Sequence, residues 1–287
     1  MTTSGITNVT VLGTGVLGSQ IAFQSAYAGF TVTAYDISDE IIDKAKHRFA
    51  DLAKTYEAEV PGAGDGGAQA ALDRLTGTAD LAKAVADADL VIEAVPERID
   101  IKRDTWTKVG QFAPAKTIFA TNSSTLLPSQ IEDATGRPDR FLALHFANQI
   151  WKFNTAEVMG TADTDPAVFD RVVAYAHEMG MVPIPIHKEK AGYVLNSLLV
   201  PLLHAAQELA AFGYAEPKDI DDVWRIGTGA PKGPFEILDV VGLTTPYNIL
   251  MSGGETEKKI AAWLKENYID KGKLGLLSGE GFYKYDH

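Results

Sequence analysis

The chain has 287 residues, 46% of them hydrophobic, which is enough for a sizeable core and about two domains. Its net charge of -12 at pH 7 argues against nucleic acid and anionic membrane surfaces as partners, because both repel an acidic body. With no cysteine, it has no disulfide, no zinc–thiolate centre and no cysteine nucleophile.

No basic segment followed by an apolar one precedes the first strand, so no signal peptide is expected. No apolar run approaches the ~20 residues of a membrane span, and a cytoplasmic location is the expectation. Residues 6–12 form a β-branched run ending at glycine, and residues 16–28 carry apolar side chains at helical spacing. A second strand, 31–35, closes at Asp36, and a charged helix follows over 41–58. Residues 59–69 are rich in glycine and read as a flexible excursion between two helices. Further apolar strands at 90–95, 117–120 and 141–144 alternate with helical stretches. Such alternation predicts a doubly wound, mainly parallel sheet with helices on both faces.

The last strand-like run is 182–186. Beyond it the pattern is helical only: 189–212, with a kink expected at Pro201, then 216–226, 235–241, 245–251 and 256–268. The division therefore falls at about residue 187, giving a dinucleotide-binding domain over 1–187 and an all-helical domain over 188–287.

The first turn reads Gly13-Thr-Gly15-Val16-Leu17-Gly18, a G-x-G-x-x-G between a strand and a helix. The first glycine permits the tight turn, the second admits a pyrophosphate to the backbone, and the third lets helix pack on strand. Free N–H groups at the helix start attract the phosphates. Asp36, eighteen residues beyond Gly18, suits the two ribose hydroxyls and repels a 2′-phosphate, and no arginine follows it closely. The expected cofactor is NAD.

Oxidation of an alcohol requires a base and a group that orients it. Of the six histidines (His47, His145, His177, His187, His204 and His287), only His145 ends a buried strand, at the carboxyl edge where ligands of such sheets bind. Glu157, twelve residues on, is a carboxylate in apolar company (Ala156-Glu-Val-Met159). It is either an edge-strand acid or a partner that a return strand brings to His145. Asn122-Ser-Ser124-Thr125 follows the fourth strand, as a helix cap or as hydroxyls over the cofactor. Asn196, in an apolar helical stretch, bonds locally or reaches across the domain interface.

Taken with Val91-Ile-Glu-Ala-Val-Pro-Glu97 and Lys102, His145-Phe-Ala-Asn148, Gly192-Tyr-Val-Leu-Asn196, Gly229-Ala-Pro-Lys-Gly-Pro234 and Gly279-Glu-Gly-Phe-Tyr283, these pieces resemble the L-3-hydroxyacyl-CoA dehydrogenase family, including bacterial 3-hydroxybutyryl-CoA dehydrogenases. The resemblance runs over nearly the whole chain. It implies a Rossmann-type domain followed by a helical substrate and dimerisation domain, and hence a homodimer. It also implies NAD-dependent interconversion of a short (S)-3-hydroxyacyl-CoA, of 3-hydroxybutyryl size, with the 3-ketoacyl-CoA. By the same resemblance His145 is the base and Glu157 its partner. Ser124 contacts substrate oxygen and cofactor, Asn196 orients substrate, Glu97 and Lys102 contact the nicotinamide-side ribose and cofactor, and Asn148 lies near the nicotinamide. No metal is implied.

The chain departs from the family pattern in three places. Gln149 stands where a proline is usual, ahead of an unusual stretch, 150–155, and Leu277 stands where a basic residue is common. Residues 51–73, a basic helical hairpin in many CoA-using members, hold one lysine (Lys54) against Asp51, Glu57, Glu59, Asp65 and Asp73. That charge disfavours a CoA phosphate and opens a second expectation: the same redox chemistry on a free hydroxy acid of carnitine or gulonate type. A third, a non-catalytic NAD-binding protein, predicts loss of the base or its partner, and both are present.

Overall fold

The computed structural model describes residues 3–285, so His287 lies outside the described residues. The chain divides into two compact units, Met1–Val194 and Leu195–His287.

The first unit is built on one sheet of eight strands: β1 (Asn8–Leu12), β2 (Thr31–Tyr35), β3 (Leu75–Thr78), β4 (Leu90–Glu93), β5 (Ile118–Thr121), β6 (Phe141–Phe146), β7 (Thr155–Gly160) and β8 (Val182–Ile186). Their order is β3-β2-β1-β4-β5-β6-β7-β8. All neighbouring pairs are parallel except β6 with β7. Helices α1 (Val16–Tyr27), α2 (Asp39–Glu59), α3 (Ala68–Asp73), α4 (Leu81–Val85), α5 (Ile99–Phe112) and α6 (Pro166–Glu178) make the connections. The order reverses between β1 and β4, which opens the crevice where doubly wound sheets bind ligands.

Both faces are covered, and the period of two along each strand shows it. Val9, Val11, Leu90, Ile92, Ile118, Ala120, Leu142 and Leu144 pack into one core. Leu12, Val91, Phe119 and Phe141 pack into the other, around Trp106 of α5. His145 lies between Leu144 and Phe146, both of the first core, so its side chain projects from the opposite face.

Two expectations change here. β3 was not expected: its Leu-Thr-Gly-Thr sequence has one large apolar residue, and it pairs only along the sheet edge. Residues 60–67 make a kinked turn, with Asp65 and Gly66 outside helical torsions, that leads into α3, with Ala63, Ala68 and Ala71 fully buried. Small side chains here permit close packing against α1, where the composition had suggested a flexible excursion.

The second unit consists of α7 (Tyr193–Ala211), which begins in the first unit, and of α8 (Pro217–Thr228), α9 (Pro234–Val241), α10 (Thr244–Met251) and α11 (Glu255–Asn267). Their core joins Leu203, Ala206, Phe235, Leu238, Leu250, Ile260 and Leu264. The helix expected from 189 begins at Tyr193, because Gly192 and Tyr193 take left-handed φ of 81° and 53° and break the turn before it. The compact units divide between Val194 and Leu195, and Tyr193 and Val194 bond back to Ser123 and Glu157. α7 runs through Pro201, and by length and composition alone it is long and apolar enough to cross a membrane. The sequence reading had found no run of that length; Leu203, Ala206 and Ala210 of α7 are buried in the core of the second unit.

Candidate active site

The turn after β1 is shaped by its glycines. Gly13 has φ of 92°, and a Cβ there would meet the Ala94 carbonyl oxygen at 2.7 Å. A Cβ on Gly18 would meet the Gly13 carbonyl oxygen at 2.0 Å. Gly15 differs. Its φ of -63° suits any residue, and a Cβ there would have no neighbour within 4 Å. Neither torsion nor packing by the chain requires glycine at this point; close approach by a bound group does. Gly15 is also the N-cap of α1, and no side chain caps it, which leaves the N–H groups of the first turn for a ligand.

Asp36 closes β2 beside this turn. Its Oδ2 accepts from the Thr14 N–H and the Thr14 hydroxyl, each at 2.7 Å, and its Oδ1 accepts from the Ile37 N–H at 2.9 Å. The carboxylate is thus aimed before any nucleotide arrives. Exposed apolar side chains flank it: Val16 is 69% and Ile37 78% accessible, surface that a planar base can cover. The sequence reading noted no nearby arginine, yet α2 brings Arg48 to the Thr14 carbonyl oxygen at 2.9 Å, where it braces the turn.

The second cluster forms at the carboxyl ends of β4, β5 and β6. The antiparallel register sets His145 directly opposite Glu157, so both side chains share one face of the sheet. His145 Nδ1 and Glu157 Oε2 are 2.9 Å apart, and both residues are buried. A carboxylate on Nδ1 keeps the proton there and leaves Nε2 as the acceptor. Nε2 lies 3.1 Å from the Ser124 hydroxyl. The other Glu157 oxygen, Oε1, accepts the Val194 N–H at 2.9 Å.

Ser124 is held by Glu97. Glu97 Oε1 accepts from the Ser123 hydroxyl (2.6 Å), the Ser124 N–H (3.0 Å) and the Thr125 N–H (2.8 Å) and hydroxyl (2.9 Å). Burial opposes ionisation of Glu97, but these bonds and the Lys102 ammonium outweigh it and hold its pKa down at about 2. Asn122 Oδ1 accepts the Phe146 N–H at 2.9 Å and ties the end of β5 to that of β6.

The sequence-derived residues fall into three groups. His145, Glu157, Ser124 and Glu97 come together. Lys102 is 1% exposed, with Nζ 2.6 Å from Glu93 Oε1 and 3.4 Å from Glu97 Oε2. A buried ammonium requires paired acids, and Glu93 and Glu97 supply them. Asn148 is exposed after β6, and Asn196 lies half-buried on α7 in the second unit. Two residues were missed. Glu93 is fully buried in an otherwise apolar strand, the same signal that marked Glu157, and it accepts from Lys102 and the Thr121 hydroxyl. Tyr193 had no signal in spacing.

A glycine kept for a ligand's approach, at the switch point of a doubly wound sheet with a ribose acid beside it, defines an NAD-linked oxidoreductase. The chain belongs to the 3-hydroxyacyl-CoA dehydrogenase family: the family's NAD-binding domain matches residues 8–190 and its C-terminal domain residues 192–285. Mitochondrial hydroxyacyl-coenzyme A dehydrogenase of Mus musculus is 37% identical over 98% of this chain and 91% of its own length. The probable 3-hydroxybutyryl-CoA dehydrogenase of Bacillus subtilis (strain 168) is 32% identical over 98% of each. Among solved structures, a diketoreductase described by its dual catalysis of dicarbonyl compounds is 67% identical with a TM-score of 0.96, over 99% of this chain and all (100%) of that one. The (S)-3-hydroxybutyryl-CoA dehydrogenase of Ralstonia eutropha is 26% identical with a TM-score of 0.84, over 99% and 100%.

Proposed function

We propose that the chain interconverts a short (S)-3-hydroxyacyl compound and its 3-oxo form, with His145 as the acid–base group. The observation that carries this is the imidazole bridged between the Glu157 carboxylate and the Ser124 hydroxyl. In the oxidative direction Nε2 takes the proton of the substrate hydroxyl. Glu157 stabilises the resulting imidazolium, as a buried carboxylate on Nδ1 does in other His-based sites. Ser124 donates to the substrate oxygen as it becomes a carbonyl, and NAD, when bound, accepts the hydride. Val16, Leu17 and the glycines Gly13, Gly15 and Gly18 receive the pyrophosphate, and Asp36 receives the ribose. Glu97 holds the Ser124 loop and would contact the nicotinamide-side ribose. By the family resemblance Asn148 serves the nicotinamide and Asn196 orients the substrate, and the exposed apolar residues of the helical unit, among them Leu198, Val223 and Ile226, are covered by a second copy of the chain.

The substrate's carrier has two readings. The family relatives favour a CoA thioester of 3-hydroxybutyryl size. The 67% identical diketoreductase, described by its catalysis of dicarbonyl compounds, favours a dicarbonyl substrate, which we read as carrier-free. The α2–α3 hairpin also favours a carrier-free substrate, since Asp51, Glu57, Glu59, Asp65 and Asp73 are all exposed and would repel CoA phosphates. Glu59 is moreover engaged by the unusual loop after β6, accepting from the Trp151 indole N–H at 2.7 Å while that ring packs on Tyr56. Both substrates present the same oxygen to His145. The test is NADH consumption with acetoacetyl-CoA against a 1,3-diketo ester. A kcat/KM for the CoA ester at least tenfold higher removes the carrier-free reading, and no turnover of any CoA ester removes the other. Failure of both removes the reaction.

A further inference from the structure

His145 has a third neighbour that the dyad does not use. The Tyr193 ring lies flat against the imidazole, with centroids 4.4 Å apart and planes 10° from parallel. Its hydroxyl donates to the Ser123 carbonyl oxygen at 2.7 Å, in the residue before Ser124. The next residue, Val194, supplies the N–H on Glu157 Oε1. Tyr193 is buried, and its φ of 53° is left-handed. That conformation is unfavourable for a bulky side chain and persists only where the surroundings hold it.

The geometry leaves one motion for Tyr193 to control. Hydrogen bonds at imidazole nitrogens are directed along the ring plane, so the pair at Nδ1 and Nε2 together restrains the imidazole within that plane. Tilt about the axis joining the two nitrogens remains soft. A flat aromatic face on the ring closes that freedom, and its hydroxyl sets the Ser124 loop from the same support. We infer that Tyr193 is a positioning residue: it fixes the tilt of His145 and registers Ser124 to it. The inference rests on the reading of His145 as the acid–base group. A displacement of about 1 Å in such a group is worth about 10²-fold in rate, so the effect is measurable.

The experiment uses the full chain with Tyr193→Phe, Tyr193→Leu and His145→Ala, reading kcat, KM, NADH affinity and the solvent deuterium isotope effect on kcat. Phe keeps the stack and removes the tie to Ser123; Leu removes both and keeps the site apolar. The expected result is a fall in kcat of about tenfold for Phe and about hundredfold for Leu, with KM and NADH affinity within about twofold. The isotope effect should rise in Leu, as proton transfer becomes slower than the other steps, and return toward its original value in Phe. A Leu variant with the original kcat and isotope effect overturns the inference. So does a Leu variant that loses kcat, NADH binding and thermal midpoint together while Phe matches the unaltered protein, since that marks a packing role alone. Retained activity in His145→Ala refutes the acid–base reading instead, and the two failures stay distinct.

Discussion

The two units bury carboxylates in different company. In the first, Glu157 faces His145 and Glu93 faces Lys102, so each acid meets a group that carries or can gain a proton. In the second, Asp221 accepts from the Phe235 and Glu236 N–H groups and the Tyr283 hydroxyl. Asp239 accepts from the Phe282 and Tyr283 N–H groups and the Tyr285 hydroxyl. Those partners are neutral donors, and their effect is to fasten the Gly-x-Gly-Phe-Tyr tail onto α8 and α9. The difference separates two uses of one expensive feature. A buried acid beside a titratable partner moves protons or holds a charge in place; a buried acid among neutral donors is a fastening.

The comparison breaks most visibly if the acid–base partner is removed. His145→Ala should lower kcat by about 10³-fold, within the range for loss of a general acid–base group, while NADH affinity changes less than about threefold. Steady-state kinetics and NADH fluorescence titration check it, and an unchanged kcat would remove His145 from the chemistry. Next in size is Lys102→Met. It strands Glu93 without its cation, and removing one partner of a buried pair typically costs about 3–5 kcal/mol of stability. Urea denaturation should show that loss, and a change below about 1 kcal/mol would mean that the pair is not the charge clamp described.

The fastening acids should behave otherwise. Asp239→Asn sets an amide N–H against N–H and O–H donors and should cost about 1–3 kcal/mol. Its pH dependence carries the sign of the comparison. Burial raises the pKa of Asp221 and Asp239 above the usual 3.8, so their stability contribution is full below that value and is lost as pH rises through the folded pKa. The deficit of Asp239→Asn is therefore widest in acid and narrows upward. Glu97 runs the other way. Its folded pKa of about 2 lies below the ordinary glutamate value of 4.5, so its hold on the Ser124 loop is full above pH 4.5 and is lost as pH falls toward 2. Urea midpoints across pH 3–6 for Asp239→Asn and Glu97→Gln should thus diverge in opposite directions, and parallel curves would erase the distinction.

How much of this was legible in the sequence follows the same physics. The strand–helix alternation marked the sheet because buried parallel strands are apolar throughout, whereas β3, with Gly77 and two threonines on an edge, carried too little apolar signal. Glu157 was legible because a lone acid in an apolar strand must find a partner. Glu93 gives the same signal and was overlooked beside the more familiar Glu97. The His145–Glu157 contact needed the β6–β7 register, which spacing of twelve residues permits without dictating. Tyr193 was illegible because its role depends on two consecutive left-handed residues, Gly192 and Tyr193, and only the second is exceptional for its type. The buried pairing of Lys102 with Glu93 was not legible, because a motif reports which residue recurs and says nothing of which way its ammonium points.

Asp36 sharpens the comparison from its margin. Its partners, the Thr14 N–H, the Thr14 hydroxyl and the Ile37 N–H, are neutral, as at Asp239, so company alone would class it as a fastening. Asp36 is only half-buried, however, and lies beside the glycine that no chain atom crowds. Exposure leaves oxygen lone pairs for ribose hydroxyls, and truncation frees donors that water can satisfy. Asp36→Ala should therefore leave the urea midpoint nearly unchanged, weaken NADH about tenfold, and narrow the preference over NADPH, because the charge that repels a 2′-phosphate is gone. Titration of both cofactors decides it. A large loss of stability with cofactor preference intact would return Asp36 to the fastenings and leave ribose recognition to residues outside the β1 turn.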